Sequence, residues 1–228
     1  MFGLSYEDLA LMTEDSVKLH GWFIPVPDAD KTIMILHGNA GNIGNRIEWI
    51  AQLCGLGANI LIIDYRGYGN SEGDPYEEGL YRDARAAYKW WDMQKRGARE
   101  KLILLGESLG GSVAVDLAQN AAPAGLILQS TFTNARDMAR QFFPLGLLQP
   151  LLGIRFDSTA KIKDVACPKL FIHGNKDEIV PFGIGRALYE LARQPKSFYE
   201  VDGAGHNDLI WVGGSEYIKR IQDFLSQL

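Results

Sequence analysis

Short apolar runs alternate with amphipathic stretches along most of the chain. The spacing of apolar residues predicts helices near 44–54, 77–96, 109–121, 183–193 and 214–227. The runs between them have the length and composition of strands: TIMILH (32–37), ANILIIDY (58–65), KLILLG (101–106), AGLILQS (124–130), PKLFIH (168–173) and SFYEV (197–201). Continuous apolar strands separated by helices indicate a parallel sheet that is buried under helices on both faces.

The opening of the chain follows another pattern. YEDLALMT and SVKLHGWFIP, joined through Glu14 and Asp15, predict a pair of antiparallel strands. The predicted fold class is therefore α/β, with a mostly parallel central sheet and helices on both faces. A length of 228 residues is enough for one sizeable core, so we expect a single domain over residues 1–228.

One connection is too long for this alternation. About 37 residues separate the strand that ends at Ser130 from the strand that starts near Pro168, more than one helix and two turns require. The segment includes the apolar stretch QFFPLGLLQPLLGI (141–154), which prolines and glycines interrupt. We interpret residues 131–164 as a small helical cap over the sheet. Its role is left open between packing, an acyl pocket or lid, and membrane contact.

A serine stands between a predicted strand and a predicted helix, in the sequence Gly106-Glu107-Ser108-Leu109-Gly110. This is a G-x-S-x-G motif in the strand–turn–helix setting that the motif requires. At such a turn the serine takes unfavourable backbone angles and its Oγ is exposed at the carboxyl edge of the sheet. The N-terminus of the following helix favours negative charge that forms beside the serine. We therefore expect Ser108 to be a nucleophile.

A serine hydroxyl is a weak nucleophile until a base takes its proton. His206 is the favoured base, because VDGAGHND forms a glycine-rich loop between the last strand and the last helix. From that loop an imidazole can reach across the sheet edge to Ser108. His20, His37 and His173 lie within or at the ends of predicted strands, where surface or structural hydrogen-bonding roles are expected.

The acid that orients the base is expected between the serine and the histidine in chain order. HGNKDEIVP (173–181) is a strand-end loop in that interval, and Asp177 is the favoured candidate, with the adjacent Glu178 as the alternative. The loop after the preceding strand reads QSTF (129–132) and contains no carboxylate.

A tetrahedral intermediate also needs N–H donors for its oxyanion. The loop ILHGNAGNIGNR (35–46) follows a buried strand and can bring backbone N–H groups near Ser108. We predict that the backbone amides of Asn39 and Leu109 form the oxyanion hole. The loop lacks the lysine of a phosphate-binding P-loop.

Net charge, cysteine content and hydropathy limit the classes of partner and the cellular compartments that we expect. The net charge of −5 is spread along the chain without a basic block, which argues against nucleic acid. Cys54 and Cys167 form no metal-binding or redox motif, so no metal is expected, and their use favours a reducing compartment. No apolar run is long enough to span a membrane, and the N-terminus lacks a signal-peptide layout. We therefore expect a cytoplasmic protein, with an upstream segment left open.

Five motifs together resemble one family. HGNAGN (37–42), DYRGYGNSEG (64–73), GESLGG (106–111), HGNKDEIVP (173–181) and GAGH (203–206) are similar, in this order, to the α/β-hydrolase superfamily. The resemblance covers essentially the whole chain. It implies that Ser108, Asp177 and His206 form the catalytic triad.

Within that superfamily, HGNAGN and RFDSTAKI (155–162) look like a group of small serine hydrolases. The group includes depalmitoylating thioesterases and lipid hydrolases, and some members have an N-terminal membrane segment. This chain differs by starting at the catalytic domain, which leaves membrane attachment open.

The expected function is a serine hydrolase without a cofactor, acting on a small-molecule ester or thioester with a small to medium acyl chain. Peptidase or amidase activity, lipid hydrolysis, and acyl transfer to peroxide or alcohol all use the same triad and stay open. A binding protein on a hydrolase fold is the non-enzymatic alternative. The sequence is silent on the oligomeric state.

Overall fold

The computed structural model describes residues 3–94, 100–142 and 153–228, which form one eight-stranded sheet with helices on both faces. The strands are β1 (Glu7–Met12), β2 (Lys18–Ile24), β3 (Lys31–Leu36), β4 (Asn59–Ile63), β5 (Lys101–Glu107), β6 (Gly125–Gln129), β7 (Lys169–Gly174) and β8 (Lys196–Val201). The helices in the described residues are α1 (Ile47–Cys54), α2 (Glu77–Gln94), α3 (Leu109–Ala121), α4 (Ala135–Phe142), α5 (Ser158–Ile162), α6 (Phe182–Leu191) and α7 (Leu209–Ser226).

The sheet has the strand order β1-β2-β4-β3-β5-β6-β7-β8. Strand β2 runs antiparallel to both β1 and β4, whereas β4, β3 and β5 to β8 are parallel. The predicted antiparallel opening and the predicted parallel sheet are both confirmed. Parallel strands end at a common edge, so the loops after β3, β5, β7 and β8 meet at one end of the molecule.

Alternating side chains of the central strands build two separate cores. In β3, Met34 and Leu36 join the core that contains apolar residues of α2 and α3. Ile33 and Ile35 point the other way, into the core under α1 and α7. Successive strand residues face opposite sides of a sheet, so both faces must be apolar when both are covered. This is why the central strands have no polar alternation.

Two helices differ from the prediction at their starts. The helix expected near 44–54 begins as a 3-10 turn over Ile43–Arg46, capped by the Asn42 side chain, before α1. The last helix begins at Leu209, five residues before the predicted position, and non-helical angles at Gly214 (φ 50°, ψ −133°) interrupt it. Leu209 is buried, and this burial stabilises a helical turn that the glycine pair at 213–214 does not predict.

The described part of the predicted cap contains α4 and α5. Its two ends are joined, because Ala135 N–H donates to Arg155 O (2.8 Å) and Ser158 N–H donates to Thr133 O (2.9 Å). Residues 143–152, most of the apolar stretch, lie outside the described residues, as do residues 95–96 at the predicted end of α2. The cap over 131–164 and the single domain therefore stay predictions. Among the described residues, no helix has both the length and the apolar character needed to cross a membrane.

Candidate active site

Ser108 occupies the sharp turn between β5 and α3. Its backbone angles, φ 51° and ψ −115°, lie outside the regions that residues with a side chain normally adopt. Hydrogen bonds fix the turn on both sides: Ser108 N–H donates to Gln129 O (2.9 Å), and Thr131 Oγ1 donates to Ser108 O (2.9 Å). Strained backbone of this kind costs about 1–3 kcal/mol and persists only where neighbours hold it.

The glycines around the serine are required by close backbone contacts. A Cβ on Gly106 would lie 2.5 Å from the Gly111 Cα, and one on Gly110 would overlap the Leu36 carbonyl oxygen. A Cβ on Gly111 would overlap Thr131 Oγ1. The turn therefore accepts side chains at Ser108 and its two neighbours but not at these three positions.

The structure brings together the three residues that the sequence singled out. His206 Nε2 lies 3.1 Å from Ser108 Oγ. The other ring nitrogen, Nδ1, lies 2.8 Å from Asp177 Oδ2 and 3.0 Å from Oδ1. A carboxylate only accepts hydrogen bonds, so Nδ1 holds the proton of the neutral ring and Nε2 is left to accept the serine proton. This arrangement can activate a hydroxyl.

Asp177 is buried beneath His206 and surrounded by donors. Its Oδ1 accepts from the backbone N–H groups of Ile179 (3.0 Å) and Val180 (2.7 Å), and its Oδ2 lies 3.3 Å from His173 Nε2. Burial alone would raise the pKa of Asp177. The hydrogen bonds from His173 and His206 outweigh burial, so the pKa lies well below its ordinary value and the group stays ionised.

The predicted alternative acid points elsewhere. A Cβ on Gly205 would lie 2.8 Å from Glu178 Oε2, which places that carboxylate beside the Gly205 backbone. It is Asp177, not Glu178, that accepts the hydrogen bond from His206 Nδ1.

The loop after β3 passes directly over the serine. Asn39 and Leu109, whose amides were predicted as oxyanion donors, line the same cavity as Ser108. A Cβ on Gly38 would lie only 3.4 Å from the Ser108 Cβ. The backbone of this loop is therefore close enough to the serine to meet a bound acyl group.

Glu107 holds this loop in place, a role that the sequence did not indicate. Its Oε2 accepts from Gly38 N–H (3.0 Å) and from Arg46 Nε (3.1 Å). Arg46 also donates to Asn42 O (3.0 Å), which ties a second point of the loop to the same carboxylate. Glu107 occupies the variable position of G-x-S-x-G, so the motif itself gave no signal for it.

Tyr68 and Asp64 support the loop from the strand-end loop after β4. Tyr68 Oη donates to Asn39 Oδ1 (2.5 Å), and Asp64 Oδ1 accepts from Ile43 N–H (2.9 Å). Both residues belong to the motif DYRGYGNSEG, but sequence spacing alone does not connect it to residues 39 and 43.

An apolar cavity of about 430 Å³ opens at Ser108. Its walls include Leu80, Leu109, Phe132, Met138, Phe156 and Val180. Glu77 fixes one wall, since its carboxylate accepts from Arg155 N–H (2.6 Å) and Phe156 N–H (2.8 Å). Within the described ranges, no cluster of three or more histidine, cysteine or acidic side chains is arranged to hold a metal ion.

Comparison with known proteins identifies the family. Residues 27–157, more than half of the chain, match a family model described as serine aminopeptidase, S33. The "alpha/beta hydrolase domain-containing protein WAV2" of Arabidopsis thaliana is 34% identical over 245 residues, covering 98% of this chain and 80% of that protein. The chain belongs to the α/β-hydrolase family. Membership of this family identifies the protein as a hydrolase. The predicted α/β fold class is confirmed.

Other relatives of this α/β-hydrolase add the fold but no substrate. The uncharacterized protein Rv2307c of Mycobacterium tuberculosis is 37% identical over 222 residues, covering 96% of this chain and 79% of that protein. The Pyrococcus furiosus esterase Pf2001 superimposes with a TM-score of 0.85 at 23% identity, covering 99% of this chain and 91% of the esterase chain. At that identity the likeness concerns the fold alone.

Proposed function

We propose that this α/β-hydrolase is a serine esterase, needing no cofactor, that cleaves carboxylic esters or thioesters of small to medium acyl chains. One observation supports this above all. Ser108 Oγ lies 3.1 Å from a histidine that a buried aspartate orients, and the same serine opens into an apolar cavity. A nucleophile, a base and an acyl-sized space therefore stand side by side.

In the proposed reaction, Ser108 Oγ attacks the acyl carbonyl carbon and His206 Nε2 takes the hydroxyl proton. Asp177 holds the Nδ1 proton and stabilises the imidazolium that forms. The bond to the leaving oxygen or sulfur then breaks, and Nε2 returns the proton to that atom. Water attacks the acyl-enzyme by the same route, which frees the acid and restores the Ser108 hydroxyl.

The oxyanion of each tetrahedral intermediate is assigned to the backbone N–H groups of Asn39 and Leu109. Leu109 is the first residue of α3, so its N–H has no acceptor within the helix. Asn39 follows Gly38, where an added Cβ would lie 3.4 Å from the Ser108 Cβ, and it lines the same cavity as Ser108. Loss of one such donor typically lowers kcat by about 10²–10³.

The cavity supports an acyl group rather than a charged or polar substrate. Its volume of about 430 Å³ falls within the roughly 300–1,000 Å³ typical of small-molecule sites. Most of its walls are aliphatic or aromatic. Such a space gains free energy by removing the methylene groups of an acyl chain from water.

Peptidase activity is the second candidate, because the matching family model is described as a serine aminopeptidase. An aminopeptidase needs an anionic group for the substrate's free amine. Among the described lining residues of the cavity, the charged side chain is Glu77. Its oxygens already accept from Arg155 N–H, Phe156 N–H and Tyr81 Oη (2.9 Å), so it is poorly placed to receive an amine. This favours esters.

A fluorophosphonate probe tests the nucleophile. Wild type is expected to be labelled, whereas Ser108→Ala is not. Ser226→Ala, the same substitution at an exposed serine at the end of α7, is the matched control and should be labelled. Equal labelling of wild type and Ser108→Ala would refute the assignment, and tight ligand binding without labelling would favour a binding protein.

A substrate panel tests the reaction class. It contains p-nitrophenyl esters of increasing chain length, an acyl thioester and an aminoacyl amide. We expect turnover of the esters and the thioester. Turnover of the amide alone would instead support the peptidase.

A cytoplasmic location is part of the proposal. Cys54 and Cys167 are free thiols, and burial raises the pKa of Cys54 to about 11, so this thiol is not poised to react. Fractionation of cells that express the native full-length protein tests the location. Recovery with the membranes would contradict it.

A further inference from the structure

A second cavity lies on the other side of His206. It has a volume of about 250 Å³ and its lining residues include His206, Glu107, Gln129, Trp49 and Tyr217. It shares no lining residue with the acyl cavity, whose walls include Ser108 but not His206. The catalytic histidine therefore borders a space distinct from the acyl cavity.

The geometry of acyl transfer requires such a space. The carbon of a tetrahedral intermediate has four substituents: Ser108 Oγ, the oxyanion, the acyl chain and the leaving group. The oxyanion is assigned to the backbone N–H groups of Asn39 and Leu109. The acyl chain is assigned to the acyl cavity, whose walls include Phe132. The leaving group takes the remaining direction, within reach of the His206 Nε2 that protonates it. The second cavity is bordered by that histidine and by Glu107, the neighbour of the serine.

A chain of buried hydrogen bonds fixes the polarity of this cavity. Trp49 Nε1 can only donate, and it donates to Tyr217 Oη (3.0 Å). Tyr217 in turn donates its own proton to Gln129 Oε1 (2.7 Å). The side-chain oxygen of Gln129 therefore faces Tyr217, and the side-chain NH₂ group of Gln129 makes no hydrogen bond to Tyr217.

That NH₂ group is an unused donor. Gln129 is only 7% exposed, and no described residue accepts a hydrogen bond from its Nε2. Gln129 lines the second cavity, so water in the cavity reaches this NH₂ group, and a ligand that supplies an acceptor can replace that water.

Glu107 supplies the complementary acceptor. Its Oε2 receives Gly38 N–H and Arg46 Nε, whereas no described residue donates to its Oε1. The second cavity thus offers one free donor, from Gln129, and one free acceptor, from Glu107. A hydroxyl group both accepts and donates, so it satisfies the two together.

We propose that the second cavity is a leaving-group site for alcohols with a further hydroxyl near the ester oxygen, and this inference rests on the proposed function. The ester C–O bond breaks, the leaving oxygen takes the proton from His206 Nε2, and the acyl group stays on Ser108. The additional hydroxyl of the leaving alcohol accepts from Gln129 Nε2 and donates to Glu107 Oε1. The preferred substrates are then esters of polyhydroxy alcohols.

A matched pair of esters tests this site. 2-Hydroxyethyl butyrate and propyl butyrate share the acyl group and differ by a hydroxyl in place of a methyl. In wild type, kcat/KM for the hydroxyethyl ester is expected to exceed that for the propyl ester about tenfold. Two hydrogen bonds to the additional hydroxyl, in a site that water also reaches, account for a difference of this size. In Gln129→Met the ratio should fall to about two. Met138→Ala, which alters the acyl cavity shared by both substrates, should keep the wild-type ratio.

A competition experiment on wild type covers the case in which Gln129→Met fails to fold. Ethylene glycol and 1-propanol are added at equal concentration during turnover of p-nitrophenyl butyrate, and the two transfer products are measured. Ethylene glycol has two equivalent hydroxyls, so hydroxyethyl butyrate must exceed propyl butyrate by clearly more than twofold to support the site. A product ratio of two or less, or equal kcat/KM for the two esters, would overturn it while leaving the esterase intact. Absence of both turnover and probe labelling of Ser108 would overturn the proposed function and this inference together.

Discussion

Replacing Glu107 should slow the hydrolysis of an ester whose leaving group has no additional hydroxyl, without weakening the binding of that ester. Its carboxylate joins Gly38 N–H at 3.0 Å and Arg46 Nε at 3.1 Å, and so fixes the loop assigned to the oxyanion. Glu107→Ala removes both bonds and leaves the Arg46 guanidinium, whose side chain is 11% exposed, without this partner. Oxyanion donors act in the transition state, so the change should appear in kcat rather than in KM.

The size of the effect follows from these contacts. Complete loss of an oxyanion donor costs about 10²–10³ in kcat, and here the donor is displaced rather than deleted, so we expect a fall between about tenfold and a hundredfold. Hydrogen bonds to charged groups contribute about 1.5–3 kcal/mol each when buried. The Glu107 side chain is 20% exposed, so the free energy of unfolding should fall by about 2–4 kcal/mol in total.

Two further variants separate the bonds. Glu107→Gln keeps an acceptor for Gly38 N–H and should retain kcat within about fivefold of wild type. Arg46→Ala leaves the bond between Glu107 and Gly38 and should fall between the other two variants. The assay is steady-state hydrolysis of p-nitrophenyl butyrate, whose leaving group has no additional hydroxyl, together with urea unfolding. A Glu107→Ala enzyme that loses stability but keeps kcat within about twofold would refute this account of the loop.

Three other changes have defined outcomes. Tyr68→Phe removes the hydrogen bond to Asn39 and should lower kcat about two- to tenfold at unchanged KM, measured with the same ester; an unchanged kcat would mean that the bond does not position the loop. Burial, with a further contribution from the nearby Arg46, lowers the pKa of His37 from 6.5 to about 4, so the folded state excludes the proton that the unfolded state takes up. The free energy of unfolding therefore has its full His37 contribution above pH 6.5 and falls by about 3 kcal/mol as the pH drops towards 4, measured by urea unfolding. In His37→Gln this fall between pH 6.5 and 4 should disappear. Glu77→Ala releases residues 154–156 at the cavity wall and should shift the preferred p-nitrophenyl ester to longer chains; an unchanged chain-length profile would contradict that role.

The sheet and the position of Ser108 could be predicted from the sequence because both depend on local patterns. A strand buried on both faces is apolar over most of its length, as in IMIL of β3 and ILII of β4, and the serine turn needs glycines where backbones touch. His206 and Asp177 could be proposed because parallel strands bring their following loops to one edge.

The hydrogen bonds that hold the loop at residues 37–46 could not be predicted from the sequence, because they depend on which strands become neighbours in the sheet. Glu107 reaches Gly38 over 69 residues, since β5 pairs with β3. Tyr68 reaches Asn39 because β4 flanks β3 on its other side. The hydrophobic pattern predicts strands but not their order. The early start of the last helix was missed for a similar reason, since it depends on where Leu209 is buried in the assembled core.

The chain order of the three strand-end loops has a consequence for folding. Ser108 and His206 are 98 residues apart, and His206 follows β8, the last strand to be made and an edge strand of the sheet. A ribosome-bound chain that has completed β6 and Thr131 already contains the residues that hold the strained serine turn, yet the turn has no base. Hydrolytic competence arises only when the C-terminal strand docks beside β7. Activity regained during refolding would therefore report the completion of the sheet, later than the helical content that forms in its middle.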